Sequence, residues 1–193
     1  MASAVIAGLG NPGPEYADTR HNTGFRVLDA LATRAGTRFT AQSRVNGAVA
    51  KATLDNRLVW LVKPLTYMNE SGRCIGPFVQ FLKTPVESLL VVYDDITLPP
   101  GAMKLTIGGS DGGHNGITSI LQCLPNTFAR FRIGIGGKRY PGQDLADHVL
   151  GKLTEEEQTT ITTKLDTYIQ GIETWLSRGT AFAQNFINKK TSP

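Results

Sequence analysis

Apolar residues gather in short runs separated by glycine, proline and asparagine, and the spacing inside each run predicts an element. Residues 3–8 form an apolar run closed by glycine, the pattern of a buried strand. From about residue 23 to 35, Phe25, Leu28, Ala32 and Ala35 recur at threes and fours, which predicts a helix closed by Gly36. Residues 47–54 and 57–63 flank Asp55-Asn56 and predict a β-hairpin. Residues 68–83 set Ile75, Phe78, Val79 and Leu82 on one helical face, although Gly72, Gly76 and Pro77 oppose a helix there. The continuous apolar run 89–93 predicts a central strand, and Leu98-Pro99-Pro100-Gly101 a turn. A short strand is expected over 103–107, a glycine loop over 108–113, a helix over about 115–124 and a strand over 131–135. Thr154-Glu155-Glu156-Glu157 is a capping box with acids at the positive end of the helix dipole, so it opens a long helix; a last helix spans about 181–188. Mixed strands and helices without repeat or linker predict one α/β domain over residues 1–193, a sandwich with a mixed central sheet flanked by helices.

Composition narrows this picture. A chain of 193 residues buries a real core without staples. Twenty Lys+Arg against 16 Asp+Glu leave a net charge of +4, which excludes both an acidic solvating chain and a histone-like one. No run of 18 apolar residues predicts a membrane span, and the start Met1-Ala2-Ser3-Ala4-Val5-Ile6 lacks the basic region of a signal peptide. Cys74 and Cys123 fit neither a disulfide framework nor a metal spacing; they are expected as small core residues on helices, in a reducing cytoplasm. The positive charge is concentrated in the body: residues 1–140 carry 15 Lys/Arg against 9 Asp/Glu, residues 141–193 carry 5 against 7. Arg130, Arg132, Lys138 and Arg139 fall within ten residues with no acid between them, a pattern suited to a polyanion such as RNA.

The first loop, Gly8-Leu9-Gly10-Asn11-Pro12-Gly13, has the outline of a dinucleotide fingerprint. That site needs free N–H groups at a helix start, whereas Pro12 and Pro14 remove donors and the helix begins only near Thr23. What remains is a set of polar loops at strand ends, where open α/β sheets bind ligands: Asn11, His21-Asn22, Asn69, Asp94-Asp95 and His114-Asn115. One histidine, one carboxylate and several amides make a hydrolytic set, with imidazole as base, carboxylate as its orienter and amides as donors to an oxyanion. His21 and His114 both qualify as the base, with a slight preference for His21. Asn22 is expected as a helix cap, Asp95 as a loop or turn acid and His148 as a structural or surface residue. His21, His114 and His148 show no metal-ligand spacing, and no G-x-S-x-G motif occurs.

Six segments share more than chemistry. Gly8-Leu9-Gly10-Asn11-Pro12-Gly13-Pro14-Glu15-Tyr16, Thr19-Arg20-His21-Asn22-Thr23-Gly24, Pro64-Leu65-Thr66-Tyr67-Met68-Asn69-Glu70-Ser71-Gly72, Asp94-Asp95-Ile96-Thr97-Leu98-Pro99-Pro100-Gly101, Gly112-Gly113-His114-Asn115-Gly116 and Arg130-Phe131-Arg132-Ile133-Gly134-Ile135-Gly136 closely resemble the bacterial-type peptidyl-tRNA hydrolase family, in its order and spacing. The resemblance implies a monomeric, cofactor-free α/β enzyme; the histidine spacing leaves no metal expected, and the cysteine usage a cytoplasmic setting. Such an enzyme would cleave the ester between a peptide and the terminal ribose of tRNA, recycling tRNA from aborted translation. By position, His21 matches the family's base, Asp94 its paired carboxylate, and Asn11 an amide placing substrate and water. Asn69 matches an amide on the peptide carbonyl, Asn115 one near the CCA end or the water, and His114 a cleft residue. Tyr67 and Met68 stand at walls of the peptide groove, and Tyr16 joins the substrate-binding set.

Lys104, Arg130, Arg132 and Lys138 are the candidates for tRNA phosphates, Arg132 matching a position the family turns toward a phosphate. Many members read Lys-x-Lys before the glycine loop; here Thr106 replaces the second lysine and Asp111 adds a negative charge, so weaker tRNA binding or a heavier reliance on Arg132 is expected. A non-catalytic RNA-binding relative and an esterase on small substrates are the other classes the residues allow.

Overall fold

In chain order the strands are β1 (Ala4–Gly8), β2 (Thr40–Gln42), β3 (Gly47–Leu54), β4 (Arg57–Pro64), β5 (Leu89–Asp95), β6 (Met103–Ile107) and β7 (Ala129–Gly134). The helices are α1 (Thr23–Arg34), α2 (Ser71–Phe81), α3 (Asn115–Leu121), α4 (Leu145–Leu150), α5 (Glu155–Thr163), α6 (Leu165–Arg178) and α7 (Thr180–Lys189). This is a computed structural model, and it describes residues 3–189; residues 1–2 and 190–193 of the expected domain lie outside the described residues.

The strands form one sheet in the order β2-β3-β4-β1-β5-β7-β6. Its middle, β4-β1-β5-β7, is parallel; β3 pairs antiparallel with β4, β2 with β3 and β6 with β7. All seven residues of β5 are buried, as a central strand covered on both faces requires. Alternate residues point to two separate cores. Ile6, Leu90, Val92, Leu105 and Phe131 pack with α1, α6 and α7. Val5, Ala7, Val62, Leu89 and Val91 pack with α2 and α3. The expected sandwich with a mixed sheet is therefore present as three layers.

The β3–β4 hairpin turns at Asp55 and Asn56, both at positive φ (48° and 56°), the conformation a two-residue hairpin turn demands. Several expectations need correction. The buried stripe of α1 is Val27, Leu28, Leu31 and Ala32; Phe25 and Ala35 are only half-buried. The helix expected over 68–83 begins as a 3-10 turn, Met68–Glu70, and becomes α2 at Ser71. There Gly72 is needed for contact: a Cβ on it would lie 2.1 Å from the Ser119 carbonyl oxygen of α3. The long helix opened by Thr154 breaks at Lys164 into α5 and α6. Cys74 is buried on α2 as expected, and burial pushes its thiol up to about 12. Cys123 instead lies exposed in the turn after α3. The strand β2 and the helix α4 carry no periodic signal in the sequence and are additions to the expected elements.

Connections leave β1 in one direction toward β4 and continue from β5 in the other toward β7, so the ends of β1 and β5 form the switch point where such sheets bind ligands. Gly24, in the first turn of α1, lets the helix rest on the strand ends: a Cβ there would lie 2.4 Å from the Val92 carbonyl oxygen and 2.5 Å from the Leu9 nitrogen. That close approach brings the residues just before α1 over the end of β5.

Candidate active site

A cleft of about 740 Å³ opens at this switch point. Asn11, His21, Asp94 and His114 stand at its base. Tyr67, Met68, Asn69 and Asn115 form one side, the glycine loop 108–113 and Arg132 another, and α4 a third. Asp94 is the next-to-last residue of β5, buried, and both histidines converge on it. His21 Nδ1 lies 3.0 and 2.9 Å from its two oxygens, and His114 Nε2 lies 2.9 Å from Oδ1. The imidazole rings are 4.9 Å apart between centroids, and Tyr93 meets the His114 ring edge-on at the same separation.

The proton positions follow from what each ring does with its second nitrogen. His114 is the N-cap of α3, and its Nδ1 accepts the Ile117 N–H at 3.4 Å. An accepting Nδ1 carries no proton, so Nε2 holds it and donates to Asp94; both nitrogens are engaged. His21 donates through Nδ1 to the same carboxylate, which leaves its Nε2 lone pair facing the cleft. The preference for His21 over His114, slight in the sequence, thus acquires a geometric reason.

Electrostatics point the same way. Burial opposes the charged imidazole of His21, but the Asp94 charge and hydrogen bond outweigh it and raise its pKa above the ordinary 6.5. Burial also opposes the Asp94 carboxylate, yet the two histidines hold it well below the usual range, so it stays ionised. These three side chains place two imidazole nitrogens and a carboxylate oxygen within 4.8 Å of one another, a donor set that a divalent cation also uses. With the tautomers assigned above, a proton bridges each contact.

Both neighbours of His21 are locked. Arg20 is buried, donating to Glu157 Oε2 at 2.7 Å and the His148 carbonyl at 3.3 Å. Asn22 occupies the N-cap position of α1 but makes no cap hydrogen bond, which corrects the expectation. Its side chain clamps the backbone of Asn11 instead, accepting from Asn11 N at 2.8 Å and donating to Asn11 O at 2.9 Å. Asn11 Oδ1 in turn accepts the Met68 N–H at 2.7 Å, so its Nδ2 donor is turned to the cleft. Asn69 and Asn115 line the cleft as exposed residues. Tyr16 does not line it; its ring meets the cleft residue Tyr67 edge-on at 6.4 Å. Asp95 is a turn acid as expected, accepting from Thr97 N and Oγ1, both at 2.7 Å. His148 is buried and bonds the Gly136 carbonyl through Nε2 at 3.0 Å.

The basic candidates separate. Lys104 and Lys138 are exposed, and Lys104 sits across from Arg132 in the β6–β7 register. Arg132 is half-buried with Nε and Nη2 each 2.6 Å from Asp95 Oδ2, leaving Nη1 without a partner among the described residues. Arg130 departs from the expectation. It is 2% exposed, and its guanidinium is bonded to the carbonyls of Gly109 and Ser110 and to Asn126 Oδ1, so it is not presented to a phosphate. Asp111 holds its charge against the Gly113 N–H and the Thr118 hydroxyl, which keep its carboxyl below the ordinary range.

Fold and site together define an α/β protein with a buried His–Asp pair and amide side chains lining one cleft at the switch point of its sheet. Comparison with known proteins makes this specific. The family model described as peptidyl-tRNA hydrolase matches residues 5–193, and the chain belongs to that family. It is 44% identical to peptidyl-tRNA hydrolase of Thermosynechococcus vestitus, over 100% of this chain and 97% of that protein. It is 43% identical to the Bacillus subtilis protein of the same name, over 96% and 98%. The crystal structure of peptidyl-tRNA hydrolase from Acinetobacter baumannii superposes with a TM-score of 0.91 at 35% identity, covering 97% of this chain and 95% of that one.

Proposed function

We propose that this chain hydrolyses the ester joining a peptide to the 3′-terminal ribose of tRNA, with His21 as general base. Water donates a proton to His21 Nε2 while its oxygen attacks the ester carbonyl. Asp94 fixes the ring and stabilises the imidazolium that forms. Asn11 Nδ2 and the amide of Asn69 donate to the substrate carbonyl and the oxyanion it becomes, while Asn115 serves the CCA end or the attacking water. When the tetrahedral intermediate collapses, the ester C–O bond breaks and His21 returns its proton to the departing ribose oxygen. A ribose hydroxyl leaves more easily than an amine, so one base and a few fixed donors suffice. Amides that both donate and accept suit a substrate read by its peptide backbone, since nascent side chains vary.

The observation that carries this reading is the His21 Nε2 left open to a cleft that Asn11 also lines, in a chain of this family. Exposed Lys104 and Lys138 and the half-buried Arg132 supply the sequence-independent attraction for tRNA phosphates. In this reading the enzyme works as a monomer without metal or cofactor, in the cytoplasm where translation consumes and returns tRNA. Among the described residues no helix is long and apolar enough to cross a membrane.

The test is release of the acyl group from an N-acetylated aminoacyl-tRNA, beside the unblocked aminoacyl-tRNA. Cleavage of the blocked substrate is expected, with the free one rejected because its ammonium loses hydration in the cleft. KM should climb steeply with salt. Folded protein that leaves the blocked substrate intact overturns the assignment, and turnover indifferent to salt turns it toward a small-ester hydrolase.

A further inference from the structure

Arg130 is the most buried cation of the basic cluster, and its partners are unusual for a buried charge. Nη1 donates to Ser110 O at 2.6 Å, and Nη2 to Gly109 O at 3.1 Å and Asn126 Oδ1 at 2.6 Å. Asn126 Nδ2 adds a second bond to Gly109 O at 2.9 Å. Thus a guanidinium on β7 and an exposed side chain just before that strand close on the same stretch of loop. A desolvated guanidinium is tolerable only where such acceptors meet it.

The loop they hold has little else to fix it. Gly108, Gly109, Gly112 and Gly113 all have positive φ, and a Cβ added at Gly109, Gly112 or Gly113 would meet nothing within 4 Å. Such a segment loses much conformational freedom on ordering and gains no packing in return. Its order depends on hydrogen bonds at its two ends: Arg130 and Asn126 at Gly109–Ser110, and Asp111 to Gly113 N, Thr118 Oγ1 and His114 N. The next residue is His114, which donates to Asp94. Arg130 also bears on Tyr93, whose ring packs against His114.

We propose that Arg130 is a positioning residue for the hydrolysis: it pins Gly109–Ser110 and, through the loop, keeps His114 seated on Asp94. This rests on the hydrolase reading above. Arg130 acts on the carboxylate that orients the base, so losing its fork lowers kcat while tRNA affinity and its salt dependence stay as they were. Asp94 freed from the His114 donor holds the His21 imidazolium more tightly, so the acid limb of the rate moves to higher pH.

The experiment compares wild type, Arg130→Lys and Asn126→Ala on N-acetylated aminoacyl-tRNA, with kcat, KM, the salt slope of KM and the pH dependence of kcat. Arg130→Lys keeps the charge but loses the planar fork that spans Ser110 O, Gly109 O and Asn126 Oδ1. Its kcat should fall about tenfold, in line with a small misplacement of a catalytic group. KM should stay within about twofold, and the acid limb should shift upward. Asn126→Ala, an exposed change, should move the same quantities less far, and it decides the matter should Arg130→Lys fail to fold. A raised KM with a salt slope shallower by about one makes Arg130 a phosphate contact and overturns the proposal. Unchanged kcat and pH limb in both variants overturn it as well. No turnover by the wild type removes the hydrolase reading and this one together, whereas normal wild-type turnover with unaltered variants removes this one alone.

Discussion

Two short segments meet at Asp94, each bringing a histidine. The turn Arg20–Asn22 carries His21, and the end of the glycine loop carries His114. Both rings donate to the same buried carboxylate, at 2.9 Å. Their second nitrogens differ. That of His114 closes the first turn of α3, while that of His21 meets only the cleft. The surroundings differ too: the His21 turn is bolted on both flanks by Arg20 and Asn22, whereas the His114 loop is glycine backbone tied by hydrogen bonds. Residue type and distance to the carboxylate do not separate the two histidines; the occupation of the other nitrogen does.

The largest effect that separates the two segments is expected from the pair His21→Ala and His114→Ala, each assayed on N-acetylated aminoacyl-tRNA. Loss of the base should lower kcat about 10²–10⁴-fold. Loss of His114 should cost only about tenfold, together with about 1 kcal/mol of stability from the lost N-cap. Equal losses contradict the distinction. Asp94→Asn comes next: an amide facing His21 favours the tautomer with Nε2 protonated, which removes the base without moving it. A fall of about 10³-fold in kcat with near-normal KM is expected, somewhat less than the loss of about 10⁴ that the same exchange causes in a serine protease triad.

The pH profile distinguishes the two rings in a different way. The His21 pKa is raised, and only its neutral form accepts a proton, so kcat/KM should fall as pH drops through a single limb above 6.5. A limb below 6.5, or none, contradicts this. Folding follows the opposite sign: the stabilisation from the His21–Asp94 pair is present below 6.5 and is lost as pH rises through the folded-state value. The least change in kcat is expected on the bolted side, from Asn22→Ala, which strands the buried N–H and C=O of Asn11. Urea denaturation should show a loss of about 2 kcal/mol, with a several-fold drop in kcat as the Asn11 amide loosens.

Much of this arrangement is written in local pattern. The Asp55-Asn56 turn, the bounds of β6 and the placement of Asp94 at the end of an apolar run all follow from short-range rules. So does the gathering of polar loops at strand ends. The choice between the histidines does not, because it depends on an N–H three residues beyond His114 and on a carboxylate 73 positions beyond His21. The role of Arg130 escapes the sequence for a related reason. Arg130 and Arg132 lie two apart on β7 and so share a face of the sheet, and a count of charges gives them one role. One is covered by the glycine loop and the other opens to the cleft. The strand β2 is three exposed residues and α4 six, too few for either period to register. Asn22 does stand at the start of α1, yet its side chain serves a loop 11 residues earlier, which no capping rule contains.

Everything above turns on one imidazole at Asp94 keeping a bare nitrogen toward the cleft while the other does not. Nitrogen-15 NMR of the two side chains, followed through a pH titration, reads this out without any substrate. Above its pKa, His21 should carry its proton on Nδ1 with Nε2 bare and should titrate above 6.5, and His114 should carry its proton on Nε2. A His21 that carries its neutral-form proton on Nε2, or a His114 ring with Nε2 bare, would contradict these assignments.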